Sequence, residues 1–258
     1  MTVGTTTEIR FPTALRLSLP DDTANSPGLG FRTETPGPES DLIQEALQHR
    51  LPTDSRLARI LFREPRLLTG YPDIVAAYPT LRTIPVSERR CDLRASHVQV
   101  AHQVHLLRTV RLERLADLLQ LRVRVLEVLV EDLVAAGLLM QRGKTLQLQA
   151  LDRVFALKRI VAIEAKISDW RAALQQAAAN LWFASHSYVL LPRRRSYSAI
   201  TASASRLGVG VLSLQDSKLK VLLPPARQRI PISFGSWLFN EWVIGHQLVA
   251  TQGIHGRH

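Results

Sequence analysis

Glu164 and Lys166 are the residues of this chain whose type and spacing point most directly to chemistry. They close the apolar run Ile160-Val161-Ala162-Ile163, which reads as a short buried strand. On a strand, positions two apart share a face, so both head groups are expected to converge while Ala165 points the other way. A carboxylate there can hold a hard divalent cation, and an ammonium beside it can stabilise charge on a phosphate or orient an attacking water. The lysine is also expected to keep the carboxylate ionised. Glu-x-Lys is common as a solvated pair on exposed strands, but this one ends an apolar run. Lysine is also scarce here, occurring only as Lys144, Lys158, Lys166, Lys218 and Lys220.

Other residues offer less. Of the histidines, His102 and His105 share a helix face with His97 nearby, but no carboxylate stands beside them at metal-ligand spacing, so they read as a polar helix face. His255 and His258 lie in a Gly-His-Arg tail that reads as disordered. Gly208-x-Gly210 lacks the third glycine and the helix of a dinucleotide loop and reads as the close-packed start of a strand. Cys91 is the single cysteine, which excludes an internal disulfide and a multi-thiolate zinc site.

The elements that must position Glu164 and Lys166 follow from apolar spacing. Residues 1 to about 40, rich in Thr, Ser, Pro and Gly, are expected to form a mobile, disordered tail. A helix is expected from Asp41 to about Gln48, capped by Ser40 or Asp41, then short strands at Arg59 to Phe62 and Ile74 to Ala77. From Ser96, Val98, Val100, Ala101, Val104 and Leu107 mark one helix, and Leu112, Leu115, Ala116, Leu118 and Leu119 a second. A third runs from about Arg122 to Ala136, with Val123, Leu126, Val130, Leu133 and Val134 at helical spacing and Gly137 as its terminator. Leu138 to Leu148 reads as a hairpin around Arg142-Gly143-Lys144. Apolar runs at Val154 to Leu157 and Ile160 to Ile163 follow, then a helix from Asp169 to about Ala184, a strand Ser187 to Leu191, and a hairpin of Gly208 to Leu214 with Lys218 to Leu223. A last helix, Ser236 to Val249, is expected to pack Trp237 and Trp242 on the core.

The segment LADLLQLRVRVLEVLVEDLVAAGLLMQRGKTLQL resembles the winged helix-turn-helix family along its whole length. The resemblance implies that its third helix can enter a DNA groove, with Arg122, Arg124, Arg142 and Lys144 touching bases or phosphates. Glu127, Glu131 and Asp132 on that helix depart from this pattern, because they repel phosphate where they face it.

The segment IVAIEAKISDWRAALQQAAANLWFASHSYVLLP, residues 160–192, resembles the PD-(D/E)xK nuclease superfamily, in which a strand bears Glu-x-Lys and the next helix packs on the sheet. The resemblance implies a catalytic set of Asp73, Glu164, Lys166 and Gln176, with Mg²⁺ or Mn²⁺ on Asp73 and Glu164. Pro72-Asp73 supplies the upstream acid, and Asp152 is the fallback. Glu64 and Glu45 are further acids, and Gln175 and Asn180 further polar candidates on the helix. The separation of Asp73 from Glu164 exceeds the superfamily's usual spacing, which an inserted winged helix would explain. The fold class expected is therefore α/β (α+β), a restriction-endonuclease-like mixed sheet flanked by helices. Its domains are a tail 1–40, core halves 41–90 and 151–250, and a mainly α winged-helix insertion 95–150.

The 258 residues are 46% apolar, enough for a real core, and no run approaches the roughly 20 apolar residues of a membrane helix. The amino terminus lacks the pattern of a signal peptide, so the expectation is a cytoplasmic protein without membrane contact. A net charge of +11, carried mostly by arginine, favours polyanionic partners, DNA first. Three readings stay open: a metal-dependent endodeoxyribonuclease, a catalytically silent DNA-binding transcriptional regulator, and a protein-partner-binding module. A homodimer or partner protein is compatible with each.

Overall fold

In the computed structural model, residues 6–11, 16–17, 30–33, 35–49, 51, 59–80 and 82–252 are described. Strand β1 (Thr6–Ile9) and the two-residue β2 (Arg16–Leu17) precede helix α1 (Pro38–Leu47), and β3 (Arg59–Arg63), β4 (Ile74–Pro79) and β5 (Ile84–Ser87) follow. A 3-10 turn at Glu88–Asp92 leads into α2 (Ala95–Leu107), β6 (Thr109–Arg111), α3 (Leu112–Leu119), α4 (Val123–Ala135), β7 (Leu139–Arg142) and β8 (Thr145–Leu148). The chain then forms the single-turn α5 (Leu151–Val154), β9 (Leu157–Ala165), α6 (Trp170–Ala179), β10 (His186–Pro192), α7 (Ser198–Leu207), β11 (Gly210–Gln215), β12 (Lys218–Leu223) and α8 (Phe234–Gln252).

The protein is a mixed α/β structure built on a seven-stranded sheet ordered β12-β11-β10-β9-β4-β3-β2. Strands β9, β10 and β11 are mutually parallel, β4 runs antiparallel to β9, and β3 antiparallel to β4. Their runs of buried residues, VAI in β9 and VLL in β10, are those of strands covered on both faces. On one face Val161, Ile163, Ala165, Ile74 and Ala76 pack against Leu42, Ile43 and Ala46 of α1. On the other, Val189, Leu191 and Val211 meet α6 and α7, while Ile160, Ala162, Val75 and Phe62 meet Trp237, Phe239 and Trp242 of α8. Both tryptophans are buried, as the apolar pattern of the last helix predicts.

Residues 95–150 form their own helical layer with a three-stranded sheet ordered β6-β8-β7, placed in the chain between β5 and β9. Its core residues, among them Val98, Leu115, Leu126, Val130 and Leu146, run without a break into the core beneath α8. Both ends of this segment are fastened to α8. Arg90 Nε donates to Glu241 Oε2 at 2.9 Å and its Nη2 to the Val154 carbonyl at 2.8 Å, while the Ala156 amide donates to Asn240 Oδ1 at 2.6 Å.

Several expectations need correction. The described parts of residues 1–40 carry structure: β1 pairs with β5, and Ile9 and Phe11 enter the core, a burial that isolated apolar residues in a polar stretch did not advertise. Helix α1 begins three residues before Asp41, with Gly37 at its N-cap and Pro38 in the first turn, so Ser40 and Asp41 lie inside it and do not cap it. The apolar run Val154 to Leu157 divides between two elements, Val154 ending a helical turn and Leu157 opening β9. Strands β1, β2, β5 and β6 and helix α7 were not anticipated, the helix because SAITASASRL has few large apolar residues to mark a stripe. Gly208 terminates α7 at φ +70°, and Gly210 opens β11 where a Cβ would lie 2.4 Å from the Tyr188 ring, which is the close packing expected of that pair. The histidines of α2, expected as a polar helix face, are engaged by neighbouring groups. His97 accepts from the Arg94 amide at 2.9 Å and reaches Asp132 at 3.1 Å, His102 contacts the Ile232 carbonyl at 3.2 Å, and His105 lies against Trp237.

Candidate active site

The β4–β9 ladder determines which acids meet. Ile74 faces Ile163 in an antiparallel register, and one step further sets Asp73 opposite Glu164. The Ala165 amide donates to Asp73 Oδ2 at 2.7 Å, fixing the carboxylate against β9. On the other side Arg63 faces Ile74, and the Glu64 amide donates to the Asp73 carbonyl at 3.1 Å. Glu64, Asp73 and Glu164 therefore lie in sequence across the ends of β3, β4 and β9. Residues 73 and 164 become neighbours because the whole segment 95–150 departs and returns between their strands.

The carboxylates are not free surface acids. Burial, reinforced by the charge of Asp73, pushes Glu164 up to about 8, against the opposing pull of Asn180 and Lys166. Burial likewise lifts Asp73 to about 6, although its bond from Ala165 and the nearby Lys166 favour the charged form. The expectation that Lys166 would keep Glu164 ionised is thus corrected: desolvation and a like charge outweigh one lysine just beyond the strand end.

Lys166 follows the last residue of β9, and its ammonium donates to Glu39 Oε2 on α1 at 2.8 Å, not to Glu164. Burial works against its charge, but Glu39, with Asp73 and Glu164 behind it, holds its pKa above the ordinary value. Glu64 is buried and held in a left-handed conformation at φ +44°, an uncommon state for a residue with a side chain. Its carboxylate pairs with Arg32 Nε, and the Arg32 guanidinium lies 5.4 Å from the Tyr71 ring centre.

From the following helix the residue that reaches the acids is Asn180. Its Nδ2 donates to Glu164 Oε1 at 2.6 Å, and it is buried. Gln176 and Gln175 are exposed, so the expected role of Gln176 is corrected in favour of Asn180, four residues later. Asp152 is exposed on α5 before β9, and Leu157 alone is roughly 23 Å from Glu164 at ~3.3 Å per strand residue, which removes Asp152 as the second acid. On α1 the residue at the site is Glu39, not Glu45. Glu39 and Arg32 were missed; the polar composition around them gave no sign that they fold back over the strand ends.

The donors suit a hard divalent cation. Asp73 and Glu164 offer only oxygen, each with one oxygen held by a protein donor, and among the described residues no second hydrogen bond reaches either carboxylate. Among the described residues no three His, Cys, Asp or Glu side chains converge as a ready-made metal cage. A cation on this pair would therefore complete its shell with water or substrate oxygens, as Mg²⁺ commonly does.

Arg122, Arg124, Arg142 and Lys144 are all exposed, the first pair at the start of α4 and the second at the β7–β8 turn. Lys144 pairs with Glu113 at 2.5 Å. No helix among the described residues is long and apolar enough to cross a membrane. No family model matches the chain, and no curated protein or solved structure matches it either.

Proposed function

We propose that this protein is a metal-dependent nuclease acting on DNA, with a PD-(D/E)xK, restriction-endonuclease-like core interrupted by a winged-helix module. The observation that carries this reading is the meeting of Asp73 with Glu164 across β4 and β9, two residues before Lys166. The spacing of Asp73 from Glu164 was the main departure from the superfamily pattern, and the return of the chain to β9 beside β4 accounts for it. Further support comes from the order of elements: a strand with Glu-x-Lys, then a helix packed on the sheet, then a parallel strand. The segment 95–150 has the helix, strand, helix, helix, hairpin order of a winged helix.

Asp73 and Glu164 would hold Mg²⁺ or Mn²⁺. A bound cation there supplies Lewis acidity toward a phosphodiester oxygen and a water of lowered pKa. The protein's own groups do the rest. Lys166 would exchange its Glu39 partner for the substrate and set its ammonium against the charge that develops on the phosphate, with Asp73 and Glu164 beside it favouring the protonated form. Asn180 holds Glu164 in place and favours its ionised form. Arg32 neutralises Glu64, so the acid row carries less self-repulsion than three bare carboxylates would.

The test is conversion of supercoiled plasmid to nicked or linear DNA with Mg²⁺ or Mn²⁺, comparing the wild type with Asp73→Ala and Lys166→Ala. Metal-dependent cleavage lost in both variants, with DNA binding retained, supports the nuclease. Binding without cleavage under either metal leaves a DNA-binding protein that has kept the fold and lost turnover.

A further inference from the structure

The inserted module distributes its charge against the usual use of such a module. Beyond the exposed Arg122 and Arg124 at its start, the outward side of α4 carries Val125 and Val128, 47% and 57% exposed, together with Glu127, Glu131 and Asp132, the last of them paired with His97. Exposed valines among three acids make a poor surface for a phosphate backbone. The three-stranded sheet is different. Val110, Leu146, Leu139 and Leu148 point into the core, so the alternation of the strands turns Thr109, Arg111, Thr145, Gln147, Met140 and Arg142 to the other face. That face carries no acid.

Its central row is Arg111–Thr145–Arg142, because Thr145 of β8 faces Arg111 on one side and Arg142 on the other. Both arginines are exposed. Two strand spacings separate them by about 10 Å at the backbone, while charges recur every roughly 3.4 Å of axis along one DNA strand. Two long guanidinium side chains on this row are therefore spaced widely enough to reach separate phosphates. The rim adds Lys144, whose ion pair offsets Glu113, and the exposed Arg108 just before β6 and Arg114 on the first turn of α3.

We infer that the module grips duplex DNA through this sheet face, with Arg111 and Arg142 on the phosphate backbone, and that α4 stays outside the contact. The inference rests on the DNA reading proposed above and specifies which surface serves it. Arginine suits the role because its planar fork pairs with phosphate oxygens two at a time.

The experiment is fluorescence anisotropy of the full chain on a labelled 30-base-pair duplex over a salt series without divalent metal, so that binding is read apart from cleavage. Three proteins are compared: the wild type, Arg111→Gln/Arg142→Gln and Arg122→Gln/Arg124→Gln. All four side chains are exposed, and thermal melting verifies that the variants fold. The expected result is that the Arg111/Arg142 variant binds roughly tenfold more weakly with a salt slope smaller by about 2, while the Arg122/Arg124 variant stays within twofold of the wild type. If the Arg122/Arg124 variant takes the loss instead, the sheet face is wrong and the DNA reading stands. If the wild type shows no salt-dependent binding, the DNA reading itself fails and the inference with it.

Discussion

Asp73 Oδ2 accepts the backbone amide of Ala165 at 2.7 Å, across a sequence separation of 92 residues. The two acids of the candidate site are thereby held together by the protein itself. Asp73→Asn keeps an oxygen for that amide and removes only the charge, whereas Asp73→Ala leaves the amide without its partner. Urea unfolding is expected to place the Asn variant within about 1 kcal/mol of the wild type and the Ala variant about 1–3 kcal/mol below it. Equal stability of the two variants would mean that the bond contributes little.

The acid pair also fixes a pH dependence. Burial and the Asp73 charge raise Glu164 from 4.5 to about 8, so between these values the folded protein holds a proton that the unfolded chain has released. Stability from this group is complete below about 4.5 and is lost as pH rises through about 8. The melting temperature of metal-free wild type is therefore expected to fall over this window relative to Glu164→Gln, which cannot titrate. Added Mg²⁺ is expected to raise it more at the alkaline end. A wild-type curve parallel to that of the Gln variant would contradict this.

Asn180 favours the charged form of Glu164 through its 2.6 Å bond. Asn180→Ala is expected to move the acidic limb of the cleavage profile to higher pH by about one unit. Gln176→Ala, on the exposed side of α6, is expected to leave the profile unmoved. The pH dependence of kcat/KM for both variants reads the difference.

Far from the acids, Glu241 receives Arg90, Trp237 Nε1 and Asn240 Nδ2, all buried. Glu241→Ala strands the Arg90 charge and is expected to cost about 3–5 kcal/mol in chemical denaturation. Because Arg90 and Val154 flank the inserted module, limited proteolysis of that variant is expected to cut first near these joints. A loss below 1 kcal/mol would mean that the network is not what fastens the module.

Strands β3, β4 and β9 to β12 and the helices of the insertion were legible because their apolar residues recur at strand or helix spacing, as in IVAI and in Leu126, Val130 and Leu133. Asp73, Glu164 and Lys166 were legible as short motifs, but their juxtaposition depended on a chain excursion that no local pattern encodes. The residues that complete the site were harder. Glu39 and Arg32 act through long-range ion pairs from a segment of turn-forming composition, and Asn180 was outranked by Gln176 because one helical turn decides which amide is buried. The ionisation of Glu164 was misjudged because sequence displays the neighbouring lysine and hides the desolvation that opposes it.

The most direct measurement is calorimetric titration of Mn²⁺ into the DNA-free protein at neutral pH, in two buffers of different ionisation enthalpy, for the wild type and Glu164→Gln. The expected result is saturable binding with proton release in the wild type, because a carboxyl raised to about 8 must lose its proton to the buffer when the cation binds, and loss of that release in the variant. Absence of saturable binding, or binding unchanged by Glu164→Gln, would contradict a metal site on Asp73 and Glu164.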